Sequence, residues 1–408
     1  MKKKFGAYNL LVGIVVGVIF GAVLGSVFPE AGVSIGFLGK LFLNSLMMIV
    51  LPLIIVSITL SIMRLGDIKN FGSLGLKTFA YYTVTTGVAV VIGIILVVLI
   101  EPGAGGNEFL GALPEKVSSK QDFSFTDLVL SLINSNLINA ALKFEILPLV
   151  FASILFGVAF ASLGKEGSVI ESVFSAIDKA IMKIVGWIMF LSPLGIMALI
   201  ADRLGSAGGG MAVVDLVLSL GKYAATVVGG LIIHGVIILP LLLALFSKRN
   251  PLTYVSTMAK ALVTAFSTAS SSATLPITMQ CVEDGAGVDK KISRFVLPFG
   301  ATVNMDGTAL YEAVAAIFIA QSYGIELGGI ELVTIFITAT IAAVGAAGIP
   351  EAGLITLILV LHAVGLPAEG IGLILAIDWL LDRFRTTVNV WGDSIGAAIL
   401  NKWEKGGP

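Results

Sequence analysis

The sequence predicts an all-α polytopic membrane protein, and three observations support that prediction. Of the 408 residues, 57% are hydrophobic and only 12% are charged, whereas an average soluble domain is about 25% charged. The mean hydropathy is +1.02. Six apolar segments reach the roughly 20 residues that a helix needs to span a bilayer. They lie at about 8–28, 36–63, 78–100, 146–164, 174–201 and 211–246.

Charge and rare residues exclude several classes of protein. The 25 basic and 26 acidic residues nearly balance, so nucleic acid is not an expected partner. A single cysteine, Cys281, excludes a disulfide framework. The two histidines, His234 and His362, form no HExxH-type metal motif. Since no nucleophile–base pair is found either, we predict that the protein is not an enzyme.

The placement of Lys and Arg predicts a cytoplasmic N-terminus. With that orientation the inside segments hold twelve basic residues and the outside segments hold four, which agrees with the excess of positive charge on cytoplasmic loops. The segment at about 101–145 is the least apolar of this part of the chain. We therefore predict an exposed outer loop between the third and fourth spans.

From about residue 253 the apolar pattern breaks into short pieces separated by polar clusters. The clusters read TAFSTASSSAT at 264–274, GATVNMDGT at 300–308 and AAVGAAGIPEAG at 342–353. Such interruptions indicate broken helices or re-entrant loops, which a membrane tolerates only where the backbone is buried or lines a cavity. They also mark the binding sites of transporters. A polar loop at 264–274 and simple turns at the other two clusters are the alternatives.

The last apolar segment carries a polar stripe. At about 100° per residue, five side chains fall within about 80° of one helix face, and these are Asp378, Asp382, Arg385, Asn389 and Asp393. Thr386 lies at the edge of the stripe and Arg383 lies off it. The alternative is an exposed amphipathic helix, but the apolar runs GLILAI and AAIL on either side argue against it.

Ionisable residues within a membrane usually face the bundle interior and mark a substrate or ion pathway. A guanidinium binds a carboxylate through two parallel hydrogen bonds, and carboxylates suit an ammonium group or a hard cation. The stripe therefore favours a free amino acid with a second carboxylate as the ligand.

Two further features are candidate ion sites. Asn304, Asp306 and the glycine between Asp306 and Thr308 could unwind a helix and offer carbonyl and carboxylate oxygens to Na⁺. Glu312 is a candidate proton carrier, because burial favours the neutral form of a carboxyl group; a salt-bridged structural Glu is the alternative. For His234, a hydrogen-bonded core residue is favoured over a proton relay.

At these residues the chain resembles the sodium:dicarboxylate symporter family, which includes archaeal aspartate transporters and mammalian excitatory amino acid transporters. The motifs are SSSATLPIT, NMDGTALYEA, GAAGIPEAG and DWLLDRFRTTVNVWGDS, and the match runs from about 8 to 402. The resemblance implies eight membrane helices with two re-entrant helical hairpins. It also implies a homotrimer in which a transport domain moves against a scaffold in an elevator-type mechanism.

The resemblance implies the following division of the chain. Scaffold helices 1 and 2 would lie in 1–76 and scaffold helices 4 and 5 in 146–210, with the extracellular loop at 102–145. Transport-domain helix 3 would lie in 77–101 and helix 6 in 211–250. The transport-domain core, 251–408, would hold the first hairpin (253–287), helix 7 (290–320), the second hairpin (325–363) and helix 8 (369–402).

The resemblance also implies roles for individual residues. Arg385 would bind the side-chain carboxylate of the substrate, and Asp382 its amino group. The other implied substrate-binding residues are Ser270, Ser271, Ser272, Thr308, Ile349, Gly353, Thr386 and Asn389. One sodium site would use Asp393 with carbonyls of Gly300, Asn304 and Asn389. A deeper one would use Tyr82, Thr85, Thr86, Asn304 and Asp306. A third would use Met305 with carbonyls near Ala343, Val344 and Ala346.

Positions at which members of the family differ from one another refine these expectations. Arg385 favours an acidic substrate, and Glu312 follows the mammalian pattern that is tied to H⁺ and K⁺ coupling. Asp378 and Arg383 would be supporting residues. The expected function is Na⁺-coupled uptake of L-glutamate or L-aspartate. The alternatives are coupling to protons alone and an accompanying anion channel.

The expected location is the plasma (inner) membrane with both termini cytoplasmic. The lack of a long tail or a large glycosylated loop indicates a prokaryotic source.

Overall fold

Every regular element that the structure describes is a helix, which confirms the all-helical prediction. The computed structural model describes residues 2–66, 73–104, 130, 132–143, 145–206, 212–346, 348 and 352–406. The first half contains α1 (Lys2–Val27), α2 (Pro29–Ser34), α3 (Gly36–Gly66), α4 (Ser73–Ile100), α5 (Leu137–Leu142), α6 (Ile146–Ser162), α7 (Lys165–Phe190) and α8 (Ser192–Ser206). Most of the predicted outer loop lies outside the described residues.

The second half begins with α9 (Ala212–Ile232), which two π-helical segments extend. These are Ile233–Ile238 and Leu243–Ser247, separated by the short α-helical piece Leu239–Leu242. The later helices are α10 (Pro251–Thr268), α11 (Ser271–Gln280), α12 (Lys290–Val303), α13 (Asp306–Ser322), α14 (Gly329–Gly345), α15 (Ala352–Ala363) and α16 (Ile371–Gly406). A π-helical turn, Cys281–Gly285, follows α11, and a 3₁₀ turn, Ala368–Gly370, precedes α16.

Four helical stretches of the described chain are long and apolar enough to cross a membrane. They are Pro29–Arg64, Ser73–Ile100, Val217–Ser247 and Lys290–Ser322. A fifth is obtained if α7 and α8 are taken as one bent span. Helix α16 has 36 residues, but the polar stripe makes it too hydrophilic to qualify on composition. Length and composition therefore establish a polytopic membrane protein, and the count of eight membrane helices stays a prediction.

The fifth predicted apolar segment, 174–201, is not one continuous helix. It breaks at Leu191, and α7 and α8 meet at a bend of 54°. Pro193, the second residue of α8, has no N–H to continue the ladder of α7. This apolar segment is therefore one bent span or a re-entrant pair of helices, and apolar length alone does not distinguish the two.

Glycines allow α1 to lie directly against α8. A Cβ atom on Gly17, Gly21 or Gly25 would come within 2.4–2.5 Å of a backbone carbonyl oxygen of α8. Small residues four apart are typical of membrane helices whose backbones approach closely. These glycines thus let α1 and α8 pack closely against each other.

Helix α13 is the centre of the second half. Nearly all of its residues are buried, and it contacts α4, α9, α14, α15 and α16. The chain is not helical at Asn304 and Met305, so α12 and α13 form a helix broken in its middle. Helices α10 and α11 form one contacting pair, and α14 and α15 form another. These breaks bring polar backbone and side chains to the buried face of α16.

Candidate functional site

Arg385 lies at the centre of the polar face of α16. It is fully buried, and its guanidinium pairs with Asp378 at 3.0 Å and with Asp382 at 2.8 Å. All three residues come from one stripe because positions three, four and seven apart share a helix face. Two carboxylates thus hold the guanidinium fork in place inside the protein.

The ring of Tyr311 on α13 supports the other side of this guanidinium. The Cζ atom of Arg385 lies 3.8 Å from the ring centroid, which is a cation–π contact. Helices α13 and α16 can approach this closely at Gly307, where a Cβ atom would lie 2.6 Å from the carbonyl oxygen of Arg385. Sequence analysis missed Tyr311. The signal was available, because Tyr311 lies three residues after Thr308 and hence on the same face of α13.

Asn389 and Thr308 connect α16 to the start of α13. The side-chain oxygen of Asn389 accepts from the backbone N–H of Gly307 at 2.7 Å. Its amide nitrogen donates to the Thr308 hydroxyl oxygen and to the Met305 sulfur, each at 3.3 Å. Thr386 is buried beside them. The side chains of Asn389, Thr308 and Met305 therefore meet in one place.

The second contacting pair, α14 and α15, borders the side chains of Thr308 and Arg385 from another side. A Cβ atom on Gly353, near the start of α15, would lie 3.1 Å from Thr308 and 3.2 Å from the guanidinium of Arg385. Any larger residue here would therefore crowd both side chains. Ile349, the other expected contact from this region, lies outside the described residues.

The tips of the two helix pairs touch. The Ser270 hydroxyl donates to the carbonyl oxygen of Gly348 at 2.6 Å, and the Ser272 N–H donates to the same oxygen at 3.1 Å. Ala269 turns the first tip with a left-handed φ of 49°. Arg383 donates to the carbonyl oxygens of Phe266 and Ser267. Ser271 is buried at the start of α11.

Asp306, at the first turn of α13, has three side-chain hydrogen-bond partners. Thr86 and Thr85 of α4 donate to its Oδ1 atom at 2.7 and 3.3 Å. The Nε2 atom of His234 lies 2.9 Å from its Oδ2 atom. His234 is thus a buried, hydrogen-bonded residue, as the sequence favoured, but the sequence did not predict its partner. An ionisable residue alone in an apolar run was the available signal.

Asp393 forms a second centre beside the break. Its Oδ1 atom accepts from the side-chain amide of Asn304 at 2.9 Å. A Cβ atom on Gly300 would lie 2.3 Å from this oxygen and 2.4 Å from the Tyr82 hydroxyl. The Tyr82 hydroxyl donates to the carbonyl oxygen of Val296 at 2.9 Å. The Oδ1 atom of Asn304 is buried and accepts no hydrogen bond from the described residues.

Three positions at the end of α14 are expected to serve a third sodium site. Ala343 and Ala346 are buried. Val344 lines a cavity of about 170 Å³ together with Tyr82 and Thr86 of α4 and Ile58 of α3. The cavity therefore reaches one of the donors to Asp306.

Glu312 is buried in the middle of α13 and takes part in no ion pair among the described residues. The Thr356 hydroxyl of α15 donates to its Oε1 atom. Its Oε2 atom has no hydrogen-bond partner in the described chain. A buried carboxyl group without a counter-charge is more stable in the neutral form.

The charges in this core do not balance. Among the described residues, five carboxyl groups are buried and only one guanidinium is. Asp306 and Asp393 have no Lys or Arg partner in the described chain. Burying an unpaired carboxylate is costly, and hydrogen-bond donors alone offset only part of that cost. Oxygen-rich pockets of this kind, with a spare buried acceptor at Asn304, fit a hard cation.

Comparison with known proteins reveals a family match. The profile of the sodium:dicarboxylate symporter family matches residues 9–403. Excitatory amino acid transporter 2 of Rattus norvegicus is 40% identical over an alignment that covers 92% of this chain and 74% of the relative. Excitatory amino acid transporter 3 of Homo sapiens is 41% identical, with 90% and 79% covered. Excitatory amino acid transporter 1 of Ambystoma tigrinum is 39% identical, with 89% and 76% covered.

These relatives are animal proteins. They lend no support to the prokaryotic source that we expected.

Proposed function

Because the chain belongs to the sodium:dicarboxylate symporter family, we propose that it moves L-glutamate or L-aspartate across a membrane together with Na⁺. The observation that carries the proposal is the buried Arg385, held between Asp378 and Asp382. In the bound state a carboxylate of the substrate pairs with Arg385. The ammonium group of the substrate pairs with Asp382 and offsets part of its negative charge. Acidic amino acids offer both groups on one small molecule.

The charge of the site explains the need for cations. The buried core already carries more carboxyl groups than cationic ones, and an acidic amino acid adds one further net negative charge. Na⁺ at Asp306, with Thr85 and Thr86, and at Asp393, with Asn304, offsets this charge. Met305 and the carbonyls near Ala343, Val344 and Ala346 serve a further ion. Substrate and cations therefore favour each other's binding.

Glu312 carries a co-transported proton in this proposal. Its buried carboxyl group has Thr356 as its donor and no ion-pair partner in the described chain. Release of the proton leaves Glu312 with a negative charge. In the proposal this charge is then offset by K⁺, which is counter-transported. The proton thus provides a second driving ion beside Na⁺.

Movement of the site as a unit completes the proposal. The transport domain comprises α4 and α9–α16, and all five buried carboxyl groups lie in it. The scaffold comprises α1–α3 and α6–α8, and three such chains form a homotrimer. The contacting pairs α10–α11 and α14–α15 are re-entrant hairpins whose tips, at Ser270 and Gly348, enclose the substrate. The transport domain slides against the scaffold and carries the closed site across the bilayer.

Uptake of labelled L-glutamate and L-aspartate into proteoliposomes tests the proposal. An inward Na⁺ gradient should drive accumulation, and choline in place of Na⁺ should abolish it. A proton gradient alone should give no accumulation. Accumulation with the proton gradient and no Na⁺ would instead establish proton-only coupling. Currents in the absence of substrate would indicate the anion-channel alternative.

A further inference from the structure

His234 is the one buried histidine of the described chain, and its only described hydrogen bond is to Asp306. It is 0% exposed, and its Nε2 atom lies 2.9 Å from Asp306 Oδ2. Its Nδ1 atom has no partner among the described residues. An ionised Asp only accepts hydrogen bonds, so Nε2 must carry the hydrogen. The side chain therefore has one described task, which is to donate to this carboxylate.

The backbone around His234 is a π-helical turn within a longer helix. His234 lies in the π-helical segment Ile233–Ile238, and single π-turns inside α-helices occur frequently at functional sites. The next residue, Gly235, accepts a hydrogen bond through its carbonyl oxygen from the Trp391 indole at 2.9 Å. Two adjacent residues of one π-turn thus connect α9 to the start of α13 and to the polar helix α16.

The three side chains that contact Asp306 bind different oxygen atoms of its carboxylate. Thr85 and Thr86 approach Oδ1, and His234 approaches Oδ2. Gly392 of α16 passes close by, and a Cβ atom there would lie 3.4 Å from Oδ2. With Oδ2 held by an imidazole N–H, the carboxylate cannot rotate away from the threonines of α4.

We propose that His234 is a positioning residue of the Asp306 cation site, which orients the carboxylate for Na⁺ without binding the ion itself. The inference rests on the proposed Na⁺ coupling and adds α9 to the elements that build the site. Partners that orient a metal-binding side chain typically contribute about 10- to 100-fold to ion affinity. His234 should therefore matter for Na⁺ binding and little for substrate recognition once Na⁺ is saturating.

The test measures Na⁺ binding to purified protein without substrate, as the Na⁺ concentration that half-saturates thermal stabilisation, with choline chloride holding ionic strength constant. Three variants are compared. His234→Leu removes the donor. His234→Asn keeps a polar side chain that is too short to reach Asp306. His234→Gln can place an N–H near the original Nε2 position. His362→Gln, at the chain's other histidine, is the matched control.

We expect the Leu and Asn variants to need at least about tenfold more Na⁺, and the Gln and His362→Gln variants to stay close to wild type. The substrate KM of each variant at saturating Na⁺ should be unchanged. If the Leu variant does not fold, the contrast between Asn and Gln decides alone. Wild-type Na⁺ affinity in the Asn variant would overturn the inference and leave the proposed function intact. A wild-type protein without any response to Na⁺ would overturn both.

Discussion

In the proposed function, selection of the substrate depends on Arg385. It is the only buried Lys or Arg of the described chain, and two carboxylates and an aromatic ring fix its position. A guanidinium fork in a water-excluded place binds a carboxylate with direction as well as charge. Its ion pair with Asp382 also explains how the site remains stable before substrate arrives. In the proposed function, the substrate replaces this internal pairing with two pairings of its own, to Arg385 and to Asp382.

Replacing Arg385 with Ala should remove the acidic preference. Two hydrogen bonds to a charged group are lost, so affinity for L-glutamate and L-aspartate should fall by about 100-fold or more. Binding of small neutral amino acids should partly survive, because their ammonium group still meets Asp382. Equilibrium binding to the purified variant measures both. Arg294→Ala, on the exposed face of α12, is the control. Unchanged glutamate affinity in Arg385→Ala would refute the assigned role.

Replacing Glu312 with Gln should remove the pH dependence of uptake. Glutamine keeps the shape and the contact with Thr356 but neither takes up nor releases a proton at this position. Wild-type uptake should fall as the outside becomes alkaline, since the loaded carrier needs the protonated carboxyl group. The Gln variant should show a flat profile, and Glu326→Gln, at an exposed position, should behave as wild type. A Gln variant with the wild-type fall would reject Glu312 as the proton carrier.

At the scale of elements, the break between α12 and α13 is the feature that brings together the residues of the proposed ion sites. The non-helical Asn304 and Met305 place Asp306 at a helix start and bring Asn304 to Asp393. Glycines let the surrounding helices approach this break. Gly300 is the tightest of them, because Asp393 and Tyr82 both lie where its Cβ atom would be.

Gly300→Ala should therefore disrupt the Asp393 site. The added methyl group meets two buried polar side chains, and overpacking of this kind costs about 1–3 kcal/mol. We expect the concentration of Na⁺ required for half-maximal uptake to rise by about tenfold or more. The control is Gly229→Ala on α9, where nothing lies within 4 Å of the new Cβ atom. An alanine variant at residue 300 with wild-type Na⁺ dependence would contradict the assignment.

Sequence periodicity predicted the polar face of α16 because ionisable residues in an apolar helix have few acceptable positions. It predicted the broken segments because small and polar residues interrupt the apolar runs. It could not predict the contact between His234 and Asp306, or the touching tips at Ser270 and Gly348. Those contacts join residues more than 70 positions apart, and only packing of the whole chain decides them.

At the scale of the whole molecule, the buried charge of the described residues is confined to the second half of the chain. All five buried carboxyl groups of the described residues belong to α13 and α16. In the proposed scaffold, glycines of α1 pack on α8, and α3 contacts α6, α7 and α8. A charged core that crosses a bilayer intact avoids exposing its carboxylates to lipid. This division favours movement of the core as one body.

A covalent bridge between the two parts should stop transport and spare binding. Ile54 of α3 and Leu359 of α15 line one small cavity between the proposed scaffold and transport domain. In a Cys281→Ser background, Ile54→Cys and Leu359→Cys joined by a short bifunctional thiol reagent should abolish uptake. Substrate binding should persist, and each single-cysteine variant should resist the reagent. Continued uptake by fully cross-linked protein would contradict the elevator-type movement.

The central claim is that an acidic amino acid and Na⁺ bind cooperatively to one buried site. The most direct test is calorimetric titration of L-aspartate and L-glutamate into the purified protein at increasing NaCl, with choline chloride keeping ionic strength constant. Coupling between two ligands usually changes affinity by about 5- to 150-fold, so affinity for at least one of the two should rise by about tenfold or more with Na⁺. Equal affinity for both amino acids in Na⁺ and in choline would contradict the account.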